Sequence, residues 1–148
     1  MIDPDLTSET TLCLKRTFAA PRENVFKAWT DPAFLKKWWR VQENWSTPVA
    51  EVDLRVGGKY RLGMHSPETG NQYVVQGEYR TVQPPEKLVY TWSWEGENPY
   101  ETLVTVLFHD KGKYTEVELI HEQFPDREQR DKHNEGWIGC LEQLGRAL

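Results

Sequence analysis

Apolar residues recur along this chain in two rhythms. In the last stretch, His133, Trp137, Cys140, Leu141, Leu144 and Leu148 follow one another at steps of four, three, one, three and four, a recurrence that gathers them on one side of a helix. Arg127, Glu128, Arg130, Asp131, Glu135, Glu142 and Arg146 fill the other side. Asp126 to Leu148 therefore reads as one helix resting on something apolar. Pro125 discourages helix before it, and Asp126 with Gln129 forms a capping-box pattern at its start. Gly136, Gly139 and Gly145 interrupt the segment, each at about 1 kcal/mol relative to alanine. Either the helix is locally weak or bulky neighbours need room beside Trp137; the second reading is adopted.

Elsewhere the period is two, the signature of strands with one covered face. Thr11 to Phe18 alternates Leu12, Leu14 and Phe18 against Cys13, Lys15 and Thr17, with Arg16 breaking the apolar side. Two short helices follow, the first opened by Ala20-Pro21 and carrying Val25, Phe26 and Trp29. The second is capped by Asp31 before Pro32 and carries Phe34, Leu35, Trp38 and Trp39. After an irregular stretch through Asn44, Ser46 and Pro48, six more strands are expected: Val49 to Arg55, Lys59 to His65, Gln72 to Val82, Lys87 to Trp94, Leu103 to His109 and Tyr114 to Glu122. Gly57-Gly58, SPETGN, Pro84-Pro85, GENP and Asp110 to Gly112 supply the turns. Connections this short make the strands antiparallel, since a parallel crossover needs a dozen or more residues.

Composition narrows the function classes. The 148 residues suffice for one domain, and a formal net charge of -5 with no basic tract argues against nucleic-acid partners. Residues 1 to 10 are polar and acidic and read as a flexible lead-in rather than a secretory signal. No run of about 18 apolar residues spans a membrane, so the expected location is the cytoplasm. Cys13 and Cys140 lack CxxC spacing and read as buried thiols rather than a disulfide. His65, His109, His121 and His133 form no metal-ligand spacing, and no cofactor is called for. The feature that stands out is aromatic content, with seven Trp, six Tyr and five Phe.

The segments RTFAAPRENVFKAWTDPAFLKKWW, DLRVGGKYRLGM, GEYRTVQPPEKLVYTWSW and HNEGWIGCLEQLGRAL resemble, in order and spacing, the homologues of the activator of heat-shock protein 90 ATPase. Those proteins belong to the START-like, birch-pollen-allergen-like or SRPBCC helix-grip superfamily, and the resemblance covers residues 11 to 148. It implies an α+β helix-grip domain, a seven-stranded curved antiparallel sheet wrapped around the C-terminal helix. It also implies a hydrophobic cavity between the two.

With that arrangement the inward set is Tyr60, Leu62, Met64, Tyr79, Tyr90, Trp92, Val104, Val106, His121, Trp137 and Leu141, with Trp29 and Trp38 near one end and His133 one turn before Trp137. These are the candidate ligand-binding residues; the plain alternative for each is core packing. Together they point to non-enzymatic binding of a small hydrophobic or aromatic molecule. His121 and His133 are the groups that could act as acid or base, but no nucleophile with a partner is recognisable and no catalytic residue is assigned. The second reading is co-chaperone-like binding of a chaperone, with any of Trp38, Trp39 and Trp45 that remain exposed as anchors, core packing being expected for at least two of them; a cyclase or hydrolase in the same cavity is third. The chain is expected as a monomer or homodimer.

Overall fold

The computed structural model describes residues 9–96 and 99–148. Most of the lead-in, and part of the turn at GENP, lie outside the described residues. Strand β1 (Leu12–Phe18) is followed by α1 (Arg22–Thr30) and α2 (Pro32–Trp38), then β2 (Ser46–Val52), β3 (Lys59–His65), β4 (Gln72–Gln83), β5 (Lys87–Trp94), β6 (Thr102–Lys111), β7 (Tyr114–Glu122) and α3 (Arg127–Ala147). The seven strands form one antiparallel sheet in the order β1-β7-β6-β5-β4-β3-β2, curled into a half-barrel. Register shifts at Ser46/Val49 and Tyr79/Thr81 are irregularities of the kind that add local twist and help a sheet close around a helix.

Local chemistry sets the boundaries. The Asp126 carboxylate accepts from Gln129 N at 2.9 Å and starts α3, while Asp31 accepts from Ala33 N at 3.1 Å to start α2 with Pro32 at its first position. Pro21 sits one residue earlier than expected, as the N-cap of α1 with φ -62° and ψ 153°. β2 lies three residues upstream of its expected range at both ends, because Pro48 is accommodated inside it. An edge strand tolerates proline, having no neighbour on its open side that needs the missing N–H. At the other end of the chain, Leu148 follows the last helical residue and is 36% exposed. It does not extend the buried stripe, which consists of Trp137, Cys140, Leu141 and Leu144 with Gln143 beside them.

The concave sheet face carries the core. Val104, Val106 and Phe108 of β6 and Val117, Leu119 and His121 of β7 are buried as their alternation requires. The α1–α2 pair closes one end, with Phe26 edge-on to Phe108 at 5.2 Å and Trp29 tilted against Trp38 at 4.9 Å. Arg16, the break in the pattern of β1, reaches Glu142 of α3 at 2.9 Å, and Arg146 reaches Glu43 at 2.7 Å. Both pairs are exposed and add little stability, but they orient α3 across the sheet and the loop after α2.

Gly139 explains why α3 tolerates glycine. A Cβ there would stand 2.2 Å from the carbonyl oxygen of Val41, and at Gly136 the nearest foreign atom is Val41 Cγ1 at 3.6 Å. The close neighbour of the helix is thus the main chain of the 40s loop rather than a large side chain.

Candidate functional site

The space between sheet and α3 is divided into a filled part and an open part. In the filled part, Tyr60, Tyr79 and Tyr90 project from three adjacent strands and pack with ring centroids 5.2 to 5.9 Å apart. Two of the hydroxyls are used locally: Tyr60 donates to Thr91 O at 2.5 Å, and Tyr90 accepts from Trp29 Nε1 at 3.2 Å. Burial raises all three above the usual phenol value, so they stay neutral. Trp38 Nε1 is bound to Ala28 O at 2.7 Å. This end of the interior is solid.

The other end holds a cavity of about 430 Å³ under the N-terminal half of α3. From the sheet, Met64, Tyr73, Trp92 and Trp94 line it; the 40s loop contributes Trp39, Val41 and Trp45. Helix α3 supplies Gln129, Lys132, His133, Gly136, Trp137 and Cys140. Tyr73 is 40% exposed and Lys132 is exposed, which puts the mouth at the surface. Trp45 and Tyr73 stack there, 5.7 Å apart and 8° from parallel.

Two histidines hold the tryptophans in place. His133 donates through Nδ1 to Gln129 O at 2.7 Å and accepts at Nε2 from Trp94 Nε1 at 2.8 Å. His121 accepts at Nδ1 from Trp137 Nε1 at 3.1 Å. Its Nε2 must therefore carry the proton and donate to Thr102 Oγ1 at 2.7 Å, and the Thr102 hydroxyl in turn donates to Trp92 O at 3.2 Å. Each ring uses one nitrogen as donor and one as acceptor, an arrangement available only to neutral imidazole. Burial, reinforced by the neighbouring His133, holds His121 well below the usual histidine value of 6.5. Burial also lowers His133, against the opposing pull of its bond to Gln129.

A pH dependence follows from these shifts. Above the ordinary value of 6.5 both states of the chain carry neutral imidazoles and the histidines are indifferent. As pH falls through that value the unfolded chain takes up protons first, so the fold loses stability progressively. Urea denaturation midpoints are expected to fall between pH 7.5 and pH 5.5, with a shallower fall in His121→Gln. A flat profile over that window would contradict the hydrogen-bond assignment.

Among the expected site residues, Met64, Trp92, His133 and Trp137 line the cavity. Trp29, Trp38, Tyr60, Tyr79 and Tyr90 belong to the filled end, while Leu62, Val104, Val106, His121 and Leu141 are buried core positions outside the lining. The sequence reading omits Trp94, although it shares a strand face with Tyr90 and Trp92, and that alternation could have found it. Gln129, Gly136 and Cys140 fall at helical steps from His133 and Trp137, so periodicity could have found them too. Val41 lies in irregular chain with no such signal. Trp39 and Trp45, protein anchors only if left exposed, stand in the cavity wall.

Among the described residues no three His, Cys, Asp or Glu side chains gather closely enough to hold a metal ion, and no helix is long and apolar enough to cross a membrane. Burial pushes the Cys140 thiol up to about 12, which keeps it protonated and a poor nucleophile near neutral pH.

Solved structures with this architecture are numerous. A protein from Chromobacterium violaceum superposes with a TM-score of 0.84 at 28% identity, covering 93% of this chain and 95% of that one. The AHSA1 protein from Silicibacter pomeroyi gives 0.81 at 30% identity, over 92% and 95%. A protein from Nitrosomonas europaea gives 0.78 at 27%, over 99% and 96%. No curated protein matches the chain. The family model described as "Activator of Hsp90 ATPase homolog 1-like protein" matches residues 19–148, a span that takes in both short helices, six of the seven strands and the whole of α3, and the chain belongs to that family.

Proposed function

We propose that the cavity takes up one small hydrophobic or aromatic molecule and that its role is binding rather than catalysis. The observation that carries this reading is the wall itself: a space of about 430 Å³, inside the range of about 300–1,000 Å³ usual for small-molecule sites, faced by six aromatic rings. The titratable groups along it favour binding over chemistry. Both nitrogens of His133 are committed to other groups, Cys140 is a neutral thiol, and His121 stands behind Trp137 rather than in the wall. Titration of tryptophan fluorescence with fluorene is expected to saturate at one molecule per chain in the micromolar range, with the one-to-one complex visible by native mass spectrometry. Absence of any bound species at these concentrations would remove the reading.

A second reading, binding of a chaperone, takes its support from the family description and from Val56, 65% exposed on the turn between β2 and β3. It predicts a stoichiometric complex with an Hsp90-type chaperone on size exclusion in the absence of any small molecule. The container reading predicts none.

A further inference from the structure

Among the residues that line the cavity, His133 is the titratable group that holds another part of the wall in place. Its Nδ1 faces Gln129 O at 2.7 Å, a carbonyl that can only accept, and its Nε2 faces Trp94 Nε1 at 2.8 Å, an indole that can only donate. Neither partner can reverse its role, so this part of the wall closes on neutral imidazole alone. Protonation leaves the bond to Gln129 O intact but sets a second hydrogen between His133 Nε2 and Trp94 Nε1. Two donors do not stay at 2.8 Å, and one ring has to turn away. Both rings belong to the lining. Trp94 is the freer of the two, being the last residue of β5 and only half-buried. Its departure also disturbs Trp92 and Trp39, which it touches with centroids 5.4 and 6.5 Å away.

The neighbours of His133 give an imidazolium no counter-charge. On the β7 side stands His121, its ring 5.3 Å away and itself neutral. Lys132 precedes it on α3 and opposes its charge, and Cys140 in the same wall is a protonated thiol. From β5 and the segment after β7 come only rings, those of Trp92, Trp94 and Phe124. Tyr100 is turned to the Gln129 amide, the Asp126 carboxylate is taken up by Gln129 N, and Arg130 is paired with Asp131. The lining contains no carboxylate. Solvent admitted through the mouth can hydrate a charged His133 while the cavity is unfilled, whereas a hydrophobic occupant excludes it and leaves the charge in an apolar space.

We propose that filling of the cavity is coupled to the loss of a proton at His133: the site holds a hydrophobic occupant while His133 is neutral and releases it when His133 is protonated. The direction follows from linkage. Above the ordinary histidine value of 6.5, His133 is neutral whether the cavity is filled or not, and affinity does not depend on pH. Burial sets the proton uptake of the free chain below that value, and the filled chain takes it up lower still. Affinity therefore falls as pH falls through the range below 6.5, by at most about tenfold per pH unit for one proton.

This inference rests on the container reading, and a probe without a titratable group separates the two. Equilibrium dialysis of the full chain against fluorene is expected to give one affinity between about pH 8 and pH 7, and a three- to tenfold weaker one at about pH 5.5, with circular dichroism confirming that the chain is folded at each pH. In His133→Gln, whose side chain can accept from Trp94 but does not titrate, the dependence on pH is expected to vanish. A flat profile in the wild-type protein, or the same fall in His133→Gln, would overturn the proposal while leaving the container standing. Failure of fluorene to bind at any pH would remove both. If His133→Gln does not fold, the ring resonances of the wild-type histidines decide: saturating fluorene moves the titration of His133 to lower pH if the coupling exists and leaves it in place if it does not.

Discussion

Trp137→Ala is expected to lower the unfolding free energy by about 3–5 kcal/mol, the range for deleting a large buried aromatic. That is a large share of the roughly 5–15 kcal/mol that holds a domain folded. The reason lies in what the ring joins. It stacks on Trp29 of the filled end at 6.1 Å and 21°, tilts against Trp92 on the cavity side at 5.2 Å, and donates to His121. Alanine removes the partition between the two halves of the interior and leaves His121 Nδ1 without its donor, so the hydrogen-bond penalty adds to the cavity penalty. Trp45→Ala is expected to cost less than half as much, because Trp45 is only half-buried and its stacking partner Tyr73 is at the surface. Urea denaturation of the two variants checks the order; equal losses would mean that Trp137 is not the keystone of the packing.

Gly139→Ala is expected to destabilise the protein by about 1–3 kcal/mol, although alanine is the better helix former by about 1 kcal/mol. Two effects oppose one another. The helix gains from reduced backbone freedom, but the new methyl would stand 2.2 Å from Val41 O, 3.1 Å from its carbonyl carbon and 3.2 Å from its Cα. The obstructing atoms are main chain, in a loop pinned by Arg40 Nε to Glu43 O at 3.1 Å and Trp45 N to Gln42 O at 3.2 Å. They cannot rotate away as a side chain would, so the clash wins. Since Val41 lines the cavity, the displaced loop should also weaken fluorene binding. Gly136→Ala, whose nearest contact is an ordinary 3.6 Å, is the control and should be neutral or stabilising. The reverse order between the two glycines would show that α3 does not rest on the 40s loop.

Strand positions were legible wherever side chains alternate between core and solvent. β3, β5 and β7 lie where period two puts them, because each presents one covered face, complete in β3 and β7 and left partly open only at Trp94 in β5. β2 is displaced because Pro48 reads as a break, and only knowledge that this strand is an edge makes it permissible. The division of the interior was not legible. Trp38 and Trp39 are neighbours in sequence with the same chemistry, yet α2 ends between them. Trp38 stays in the helix and binds Ala28 O, whereas Trp39, at φ -73° and ψ 79°, faces the cavity. Period two likewise assigns Tyr60, Tyr90 and Trp92 to one face without telling which rings fill space and which border it. That depends on neighbouring strands and on the path of the 40s loop, which carries no periodicity. Ile138, 50% exposed beside buried Trp137, is a further place where residue type alone misleads and helical phase decides.

The central claim is that the open end of the interior, and not the filled end, receives the ligand. The most direct test is the set of tryptophan indole resonances of the nitrogen-15-labelled protein during titration with fluorene. Trp39, Trp45, Trp92 and Trp94 are predicted to shift together and saturate, while Trp29 and Trp38 stay in place. Shifts centred on Trp29 and Trp38, or an unchanged spectrum at saturating fluorene, would contradict it.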